Sequence, residues 1–258
     1  MTKRNTQQRR HAIVALLQER GEVSVDELTK RFSTSEVTIR KDLALLETGG
    51  LLLRRYGGAI SLPTEMVAEA DPVRVSQRKL AIARAAAERI RDHNRVIIDS
   101  GTTTSAMIPL LGNKRGLIVM TNSLQVAGSL RELENEPTLL MTGGTWDPHS
   151  ESFQGQIAEQ VLRSYDFDQL FIGADGIDLE RGTTTFNELV GLSRVMAEVS
   201  REVVVMVESD KIGRRIPNLE LPWERIQTLV TDDALAPAAR DMIQAKGVTL
   251  ICAPFAHR

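Results

Sequence analysis

The sequence predicts an α/β protein with an N-terminal winged helix-turn-helix and a C-terminal domain whose sheet is mostly parallel. Near the N-terminus, two short amphipathic helix patterns and a hairpin pattern follow one another within about sixty residues. After residue 76, short apolar runs alternate with helical stretches up to the end of the 258-residue chain. We therefore expect domains at 1–60 and 76–258, joined by a linker at 61–75, where periodicity is lost and two prolines occur.

Residues 24–43 carry the start signals of two helices. Ser24 precedes Glu27 by three residues, and Ser33 precedes Glu36 by three, so we expect each helix to begin with a capping box. Apolar side chains at mostly helical spacing are expected to pack the two helices together. These side chains are Val25, Leu28, Phe32, Val37, Ile39, Leu43 and Leu46.

The flanking residues extend this pattern on both sides. Residues 11–19 supply a supporting helix that ends at Gly21. After the second helix, residues 51–60 favour a two-stranded hairpin with Gly57–Gly58 as its turn. A supporting helix, a turn, a cationic helix and a basic hairpin in this order are typical of a winged helix-turn-helix that binds DNA.

Positive charge is concentrated in this N-terminal part. Residues 1–60 hold 11 Lys and Arg against 7 Asp and Glu, whereas the whole chain has a net charge of −2. The basic part of the chain is therefore the part that would face phosphates. The side chains expected to contact DNA are Thr34, Ser35, Thr38, Arg40, Lys41, Arg54 and Arg55.

Composition argues against several other classes of protein. Hydrophobic residues make up 42% of the chain and charged residues 26%, as in ordinary folded domains. The single cysteine, Cys252, permits no internal disulfide, and no apolar run is long enough to cross a bilayer. The four histidines lack ligand spacing, and no signal-peptide core is present. We expect a cytoplasmic protein without a metal site, a cofactor or a membrane partner.

Small, hydrogen-bonding residues follow four of the predicted strands. Strands are predicted at 95–99, 117–121, 138–142, 168–174, 202–207, 226–231 and 248–252, with helices at 77–91, 105–111 and 189–200. Because ligands of an open parallel sheet bind beyond the carboxyl ends of its strands, the loops there form the candidate site. The loop containing Gly101 offers hydroxyl groups and backbone amides suited to a phosphate. The pair Gly143–Gly144 fits either a phosphate or a tight turn.

We expect a phosphorylated ligand to contact these loops and two further polar segments. One is the polar cluster 182–188, which precedes a predicted helix, and the other is 208–211. Lys211 fits a phosphate contact, an ion pair with Asp175 or Asp178, or a solvated loop. The candidate binding residues are Ser100, Gly101, Thr102, Thr103, Thr104, Thr121, Asn122, Ser123, Gly143, Gly144, Asp175, Asn187, Glu188 and Lys211.

These motifs resemble those of the DeoR family of bacterial sugar-catabolism repressors. The resemblance covers nearly the whole chain and rests on residues 38–43, 55–59, 99–104, 121–123, 143–144, 173–178 and 209–211. Residues 175–178 and 184–188 look most similar to the branch with the glucitol, galactitol and N-acetylgalactosamine operon repressors. The resemblance implies a second domain similar to ribose-5-phosphate isomerase and glucosamine-6-phosphate deaminase. It also implies operator DNA as partner, a phosphorylated sugar, alditol or amino sugar as effector, and a homodimer or homotetramer.

Two other functions remain open from the sequence. Carboxylates that could move protons at a sugar carbon, as in a phosphosugar isomerase or deaminase, are Asp99, Asp175, Asp178 and Glu188. However, residues 174–178 lack the order of the isomerase acidic motif, and the glycine-rich lysine loop of the isomerases is missing. We therefore expect a binding domain and no enzyme. A protein with the same DNA-binding head could also activate transcription.

Overall fold

The computed structural model describes two compact units, Met1–Val73 and Arg74–Arg258. The described residues are 9–10, 12–14, 16–17, 20–48, 52–60, 75–148, 150–185, 187, 190–214, 216 and 218–255. The linker predicted at 61–75 lies outside them except for its last residue.

The first unit is a winged helix-turn-helix, as predicted. The described residues between 9 and 20 are helical, and α1 (Val25–Phe32) and α2 (Glu36–Thr48) follow. The wing consists of β1 (Glu22–Ser24), β2 (Leu53–Arg55) and β3 (Gly58–Ile60), in the antiparallel order β1-β3-β2. The sequence predicted the β2–β3 hairpin but not β1, which is too short for a periodic pattern. One apolar core joins these elements, and its fully buried side chains include Ile13, Leu28, Ile39 and Leu43.

The helix starts depend on serine side chains, but one predicted cap is wrong. Ser24 Oγ accepts the backbone N–H of Glu27 at 3.1 Å, which confirms the first cap. Ser33 does not cap the second helix, because it ends α1 with a left-handed φ of 46°. The Thr38 N–H instead points to Ser35 Oγ at 3.3 Å. Because Ser33 forms the turn that ends α1, the next helix begins later than the capping-box spacing of Ser33 and Glu36 predicts.

The prediction that Val37 packs between the helices is also wrong. Its surface is 62% exposed, whereas Ile39 and Leu43 are completely or almost completely buried. At about 100° per residue, Val37 lies on the opposite side of α2 from that buried stripe.

The wing turn differs from the prediction by one residue. Arg55 pairs with Gly58, so the two-residue turn is Tyr56–Gly57 and Gly58 already belongs to β3. A Cβ atom on Gly58 would lie 2.2 Å from the carbonyl oxygen of Val23. Glycine is therefore required at position 58 for close pairing of β3 with β1.

The second unit alternates strands and helices. Its strands are β4 (Arg95–Ile98), β5 (Ile118–Thr121), β6 (Thr138–Met141), β7 (Thr145–Asp147), β8 (Ser152–Gln154), β9 (Phe167–Ile172), β10 (Gly176–Asp178), β11 (Gly182–Thr185), β12 (Ser200–Met206), β13 (Asn218–Pro222), β14 (Thr228–Asp232) and β15 (Thr249–Ala253). Its helices are α3 (Gln77–Ala87), α4 (Thr102–Ser105), α5 (Leu124–Arg131), α6 (Gln156–Leu162), α7 (Gly191–Glu198) and α8 (Pro237–Gln244).

Seven of these strands form one parallel sheet in the order β15-β14-β12-β9-β4-β5-β6. They are the seven predicted strands, each within two residues of its predicted ends, and they confirm the fold class. Both faces of the sheet are apolar. On β4, Val96 and Ile98 belong to one core, and Ile97 belongs to the other. Helices must therefore cover both faces, as in other parallel sheets.

Some local elements of the second unit differ from the predictions. The helix predicted at 105–111 is the short α4 followed by a 3-10 turn at Ile108–Leu111, because Pro109 lacks the N–H that a continuous α-helix requires. The polar cluster 182–188 begins with strand β11, which was not among the predicted strands. Strand β11 pairs with β10 and β13, and β7 pairs with β8, in two small antiparallel sheets that the sequence did not predict.

Across the described ranges, none of the helices has the length and apolar character that a bilayer span requires.

Candidate functional site

The strand order creates a switch point at the carboxyl ends of β4 and β9. The chain runs from β4 outward to β5 and β6, and then returns to β9 on the other side of β4. Connections leave these two neighbouring strands in opposite directions, which is where open sheets of this type bind ligands. Residues 99–104 follow β4 and residues 173–175 follow β9, so two of the predicted loops flank the switch point.

A buried lysine that the sequence analysis did not identify contacts the first of these loops. Lys79 on α3 is 8% exposed, and its Nζ donates to Thr102 Oγ1 at 2.7 Å. Ser76 Oγ accepts the backbone N–H of Lys79 at 3.1 Å and fixes the start of α3. The contact places an ammonium group beside a glycine-containing loop, where it would attract an anion. Lys79 belongs to no sequence motif and lies 23 positions before Thr102.

The loop after β4 is held in shape by its own residues. Gly101 has a φ of 140°, a value that L-residues rarely adopt. Thr104 is completely buried, and its hydroxyl hydrogen is shared between the carbonyl oxygens of Asp99 (2.8 Å) and Gly101 (2.9 Å). Thr104 therefore shapes the loop, whereas Ser100, Gly101, Thr102 and Thr103 keep solvent contact.

Asn122 joins the loop after β5 to the loop after β4. It is 1% exposed, its Nδ2 donates to Asp99 Oδ1 at 2.8 Å, and its Oδ1 accepts the Ser100 N–H at 3.1 Å. The amide of Asn122 thus orients the Asp99 carboxyl group and the backbone of Ser100. Its predicted ligand contact stays a prediction.

Thr121 and Ser123 are buried on either side of Asn122. Thr121 Oγ1 accepts the Ser123 N–H at 3.1 Å, and Ser123 Oγ accepts the Val126 N–H at 3.3 Å as the cap of α5. These bonds give both hydroxyl groups a structural role, and neither side chain is open to solvent.

Two carboxyl groups of the second unit have a raised pKa. Asp99 is partly exposed as a residue, but its carboxyl group is removed from water, and this burial raises its pKa to about 6. The hydrogen bond from Asn122 lowers the pKa and offsets part of the increase. Burial raises the pKa of Glu220 on β13 to about 7, and repulsion from Asp99 and Asp175 adds to the increase. Glu220 is therefore close enough to interact with both Asp99 and Asp175, and these carboxyl groups give the candidate site an acidic side.

Glu220→Gln will change the pH dependence of stability. Because the folded state holds the Glu220 proton more tightly than the unfolded state, this group's contribution to stability is complete below pH 4.5 and is lost as pH rises through about 7. We expect the wild-type protein and the variant to melt alike at pH 5, and the variant to melt higher at pH 8. Each kcal/mol of difference corresponds to roughly 2–4 °C. Equal differences at both pH values would contradict the raised pKa.

Thr185 connects two of the predicted effector residues, although it was not itself predicted. Its Oγ1 donates to Asp175 Oδ2 at 2.7 Å and accepts the Asn187 N–H at 3.0 Å. Asp175 and Asn187 therefore lie together beside the carboxyl end of β9. Glu188 lies outside the described residues.

Lys211 is partly exposed in a 3-10 turn after β12, and no partner of its side chain is found in the described part of the chain. The expectation that it pairs with Asp178 is wrong. Asp178 is bound by Arg181, whose Nε lies 2.9 Å from Oδ2, since both residues belong to the β10–β11 hairpin. The alternative ion pair with Asp175 is not formed either, and Asp175 accepts from Thr185 instead. The phosphate contact of Lys211 stays a prediction.

The glycine pair after β6 has a structural reason. Gly143 and Gly144 have φ values of 62° and 107°, and a Cβ atom on Gly144 would lie 2.5 Å from the carbonyl oxygen of Gln154. The pair thus lets β8 approach the end of β6. These contacts favour the tight-turn explanation of the pair.

The helix α2 carries the predicted DNA contacts on its exposed side. Ser35 Oγ and Thr38 Oγ1 are 2.9 Å apart at its start. Arg40 forms an ion pair of 3.3 Å with Glu36, in which both side chains are more than half exposed. Lys41 is exposed, and no described residue pairs with it.

Both wing arginines are tied to the protein surface. Arg54 pairs with Glu47 at 2.7 Å, and Arg55 pairs with Glu22 at 2.6 Å. Exposed pairs of this kind contribute only about 0–1 kcal/mol, so a phosphate can replace the carboxylate with little cost. Tyr56 at the tip between the wing strands is fully exposed.

A buried ion-pair network holds α2 on the side that faces the core of the unit. Asp42 is 2% exposed and accepts from Arg9 Nε at 2.6 Å and from Arg10 Nε at 2.7 Å. Arg9 is itself 8% exposed. Part of the positive charge counted in residues 1–60 is therefore used inside the unit.

Comparison with solved structures finds weak likenesses. Ribose 5-phosphate isomerase A from Methanocaldococcus jannaschii aligns over 52% of this chain and 53% of its own, with 19% identity and a TM-score of 0.38. Translation initiation factor eIF-2B from Pyrococcus horikoshii OT3 aligns over 88% and 87%, with 14% identity and a TM-score of 0.41. Both scores lie below 0.5, and no function follows from them.

Sequence comparison is more specific. Residues 9–65 match the DeoR-like helix-turn-helix domain, and residues 74–233 match the DeoR C terminal sensor domain. A putative aga operon transcriptional repressor of Escherichia coli O157:H7 is 39% identical over 252 residues, which cover 95% of this chain and 93% of that protein. The HTH-type transcriptional regulator GlpR of Haloferax volcanii is 33% identical, with coverages of 95% and 96%. The chain therefore belongs to the DeoR family of transcriptional regulators.

Proposed function

We propose that this protein is a cytoplasmic repressor that holds operator DNA until a phosphorylated sugar, alditol or amino sugar binds its second unit. The observation that carries the proposal is the contact of Lys79 with Thr102. It brings a buried ammonium group to Thr102, the residue that follows the exposed Gly101 at the switch point of the sheet. A phosphate is the anion that such a combination of charge, hydroxyl groups and amides suits best.

The acidic side of the site suits the rest of such a ligand. Carboxyl groups accept hydrogen bonds from the hydroxyl groups of a sugar or alditol, and the carboxyl group of Glu220 interacts with those of Asp99 and Asp175. We assign the phosphate to the Lys79 side and the hydroxyl groups to the carboxyl side. The candidate residues Asn187 and Lys211 complete this assignment from the neighbouring loops.

Control of transcription requires more than one copy of the head. A single winged helix-turn-helix makes few base contacts, so specific binding calls for a homodimer or homotetramer that presents paired heads to repeated half-sites. Release requires that the effector bind more tightly to the arrangement that does not bind DNA. By linkage, operator DNA then weakens effector binding by the same factor.

Lys41→Ala tests the DNA-binding part of the proposal. The variant should bind the operator more weakly, and the slope of log affinity against log salt should become shallower by about one, because one phosphate contact is lost. Arg40→Ala should have a smaller effect, since Arg40 must first leave Glu36. Arg225→Ala, at an exposed position in the second unit, is the control. Salt titrations identical to wild type for both α2 variants would remove these cations from the interface.

A phosphosugar isomerase or deaminase is the second candidate. It is favoured by the raised pKa values of Asp99 and Glu220, which suit groups that exchange protons near neutral pH. An assay of the purified protein with hexose and pentose phosphates, without DNA, separates the two functions. Turnover that Glu220→Gln abolishes would support the enzyme, whereas binding without turnover supports the repressor. If the protein activates transcription instead, its operator should lie upstream of the promoter, and binding of the protein there should raise transcription.

A further inference from the structure

We propose that Val37 is a specificity-determining residue that contacts the C5-methyl group of a thymine in the operator. The inference rests on the proposed binding of operator DNA by α2. It identifies thymine as one of the bases that this helix recognises. None of the DNA-contact residues predicted from the sequence is apolar, so this contact is of a different kind from theirs.

The exposure of Val37 separates it from the other branched apolar residues of its helix whose side chains the structure describes. Ile39, Leu43 and Leu46 are exposed by 0%, 1% and 5%, whereas Val37 is exposed by 62%. It therefore contributes little to the core of the unit. A valine in this position is available to a partner outside the chain.

The helical position of Val37 places it where a recognition helix meets bases. At about 100° per residue, positions 37, 41 and 44 lie along one ridge of α2, opposite the buried stripe. Val37 is the second residue of α2, and Lys41 follows one turn later on the same ridge. The N-terminal residues of a recognition helix contact base edges in the major groove. Val37 thus lies where this helix would contact bases, and Lys41, one turn further on, is placed to contact a phosphate.

The chemistry of valine selects the feature of DNA that it would contact. Its side chain has no hydrogen-bond donor or acceptor, so it cannot pair with the polar edges of guanine, cytosine or adenine. The C5-methyl group of thymine is the apolar feature of the major groove. Contact would remove methyl surface of both partners from water, which favours binding by about fourfold for one methyl-sized group.

The polar groups next to Val37 are engaged with one another, but Thr38 also carries a methyl group of the kind that contacts thymine. Ser35 and Thr38 are hydrogen-bonded to each other, and the Arg40–Glu36 pair is ionic. These polar groups suit phosphates or polar base edges on either side of the thymine. The dependence of the thymine preference on Val37 therefore has to be measured with a Val37 variant that keeps Thr38.

The test replaces each thymine of a selected operator with deoxyuridine, which removes only the methyl group. The full-length wild-type protein first selects its operator from random duplexes, and affinities are then measured for wild type, Val37→Ala and Lys41→Ala. We expect wild type to lose about fourfold in affinity at one thymine of each half-site. Val37→Ala should bind the thymine and deoxyuridine operators equally. Lys41→Ala should bind both more weakly and keep the fourfold ratio.

Several results would overturn the inference. Wild type that tolerates deoxyuridine at every position makes no such contact. A Val37→Ala variant that keeps the wild-type ratio assigns the methyl contact to another residue. Equal weakening on all operators without a change in the ratio would assign Val37 to a contact between protein heads. Failure to select any duplex would refute the proposed operator binding itself, a distinguishable outcome. Equal melting temperatures of wild type and variant, expected for so exposed a residue, exclude misfolding.

Discussion

Asp42→Asn is expected to destabilise the N-terminal unit by about 3–5 kcal/mol, because it leaves the buried guanidinium group of Arg9 without a counter-charge. Asp42 and Arg9 are 2% and 8% exposed and lie 2.6 Å apart. A unit of this size has a total stability of about 4–11 kcal/mol. The loss is therefore large enough to unfold much of the unit and to remove operator binding at ordinary temperatures.

Calorimetry of the full chain measures this effect. The transition of the N-terminal unit should move to lower temperature or disappear, while the second unit keeps its midpoint and still binds phosphosugars. Asp26→Asn is the matched control, because Asp26 is an exposed acid in the first turn of α1. If Asp42→Asn melted like the control, the buried pair would have no part in holding α2.

Lys79→Met is expected to weaken effector binding by about 10- to 150-fold, the range that corresponds to one lost hydrogen bond to a charged group. Methionine fills the buried space of the lysine stem but has no charge to offer a phosphate. Operator binding should remain at the wild-type level, because Lys79 lies in the second unit. The variant would therefore repress normally and be released only at a correspondingly higher effector concentration.

Arg84→Met on the same helix is the control for Lys79→Met, since Arg84 is exposed. Calorimetric titration with the effector and operator binding in its presence give the two readouts. Normal release of Lys79→Met by the effector would show that the phosphate binds elsewhere. Loss of operator binding by this variant would instead reveal a structural role of the lysine.

The parallel sheet and the head could be predicted because their signals are local. Each strand of the large sheet is a short apolar run, and burial on both faces leaves little else for such a run to be. The polar strand β11 escaped prediction because its threonines do not alternate with apolar residues. It is stabilised by pairing with β13, a segment more than thirty positions later.

The candidate site could be predicted only in part. The loops after β4, β5 and β9 are recognisable because glycine and hydroxyl residues follow apolar strands. Lys79 and Glu220 escaped prediction because they reach this region from a helix before β4 and from strand β13, and only the fold brings them there. The burial of Asp42 and the exposure of Val37 escaped prediction for the same reason, since both depend on what packs against each side of α2.

A phosphosugar is expected to control the affinity of the protein for its operator, and reciprocal titration measures this control most directly. Operator affinity of the wild-type protein would be measured with and without each member of a panel of phosphorylated sugars, alditols and amino sugars. Affinity for the active compound would then be measured with and without operator. We predict that one compound weakens operator binding about 100-fold, equivalent to about 2.7 kcal/mol, and that operator weakens its binding by the same factor. A phosphosugar that binds the protein but leaves operator affinity unchanged would contradict the account.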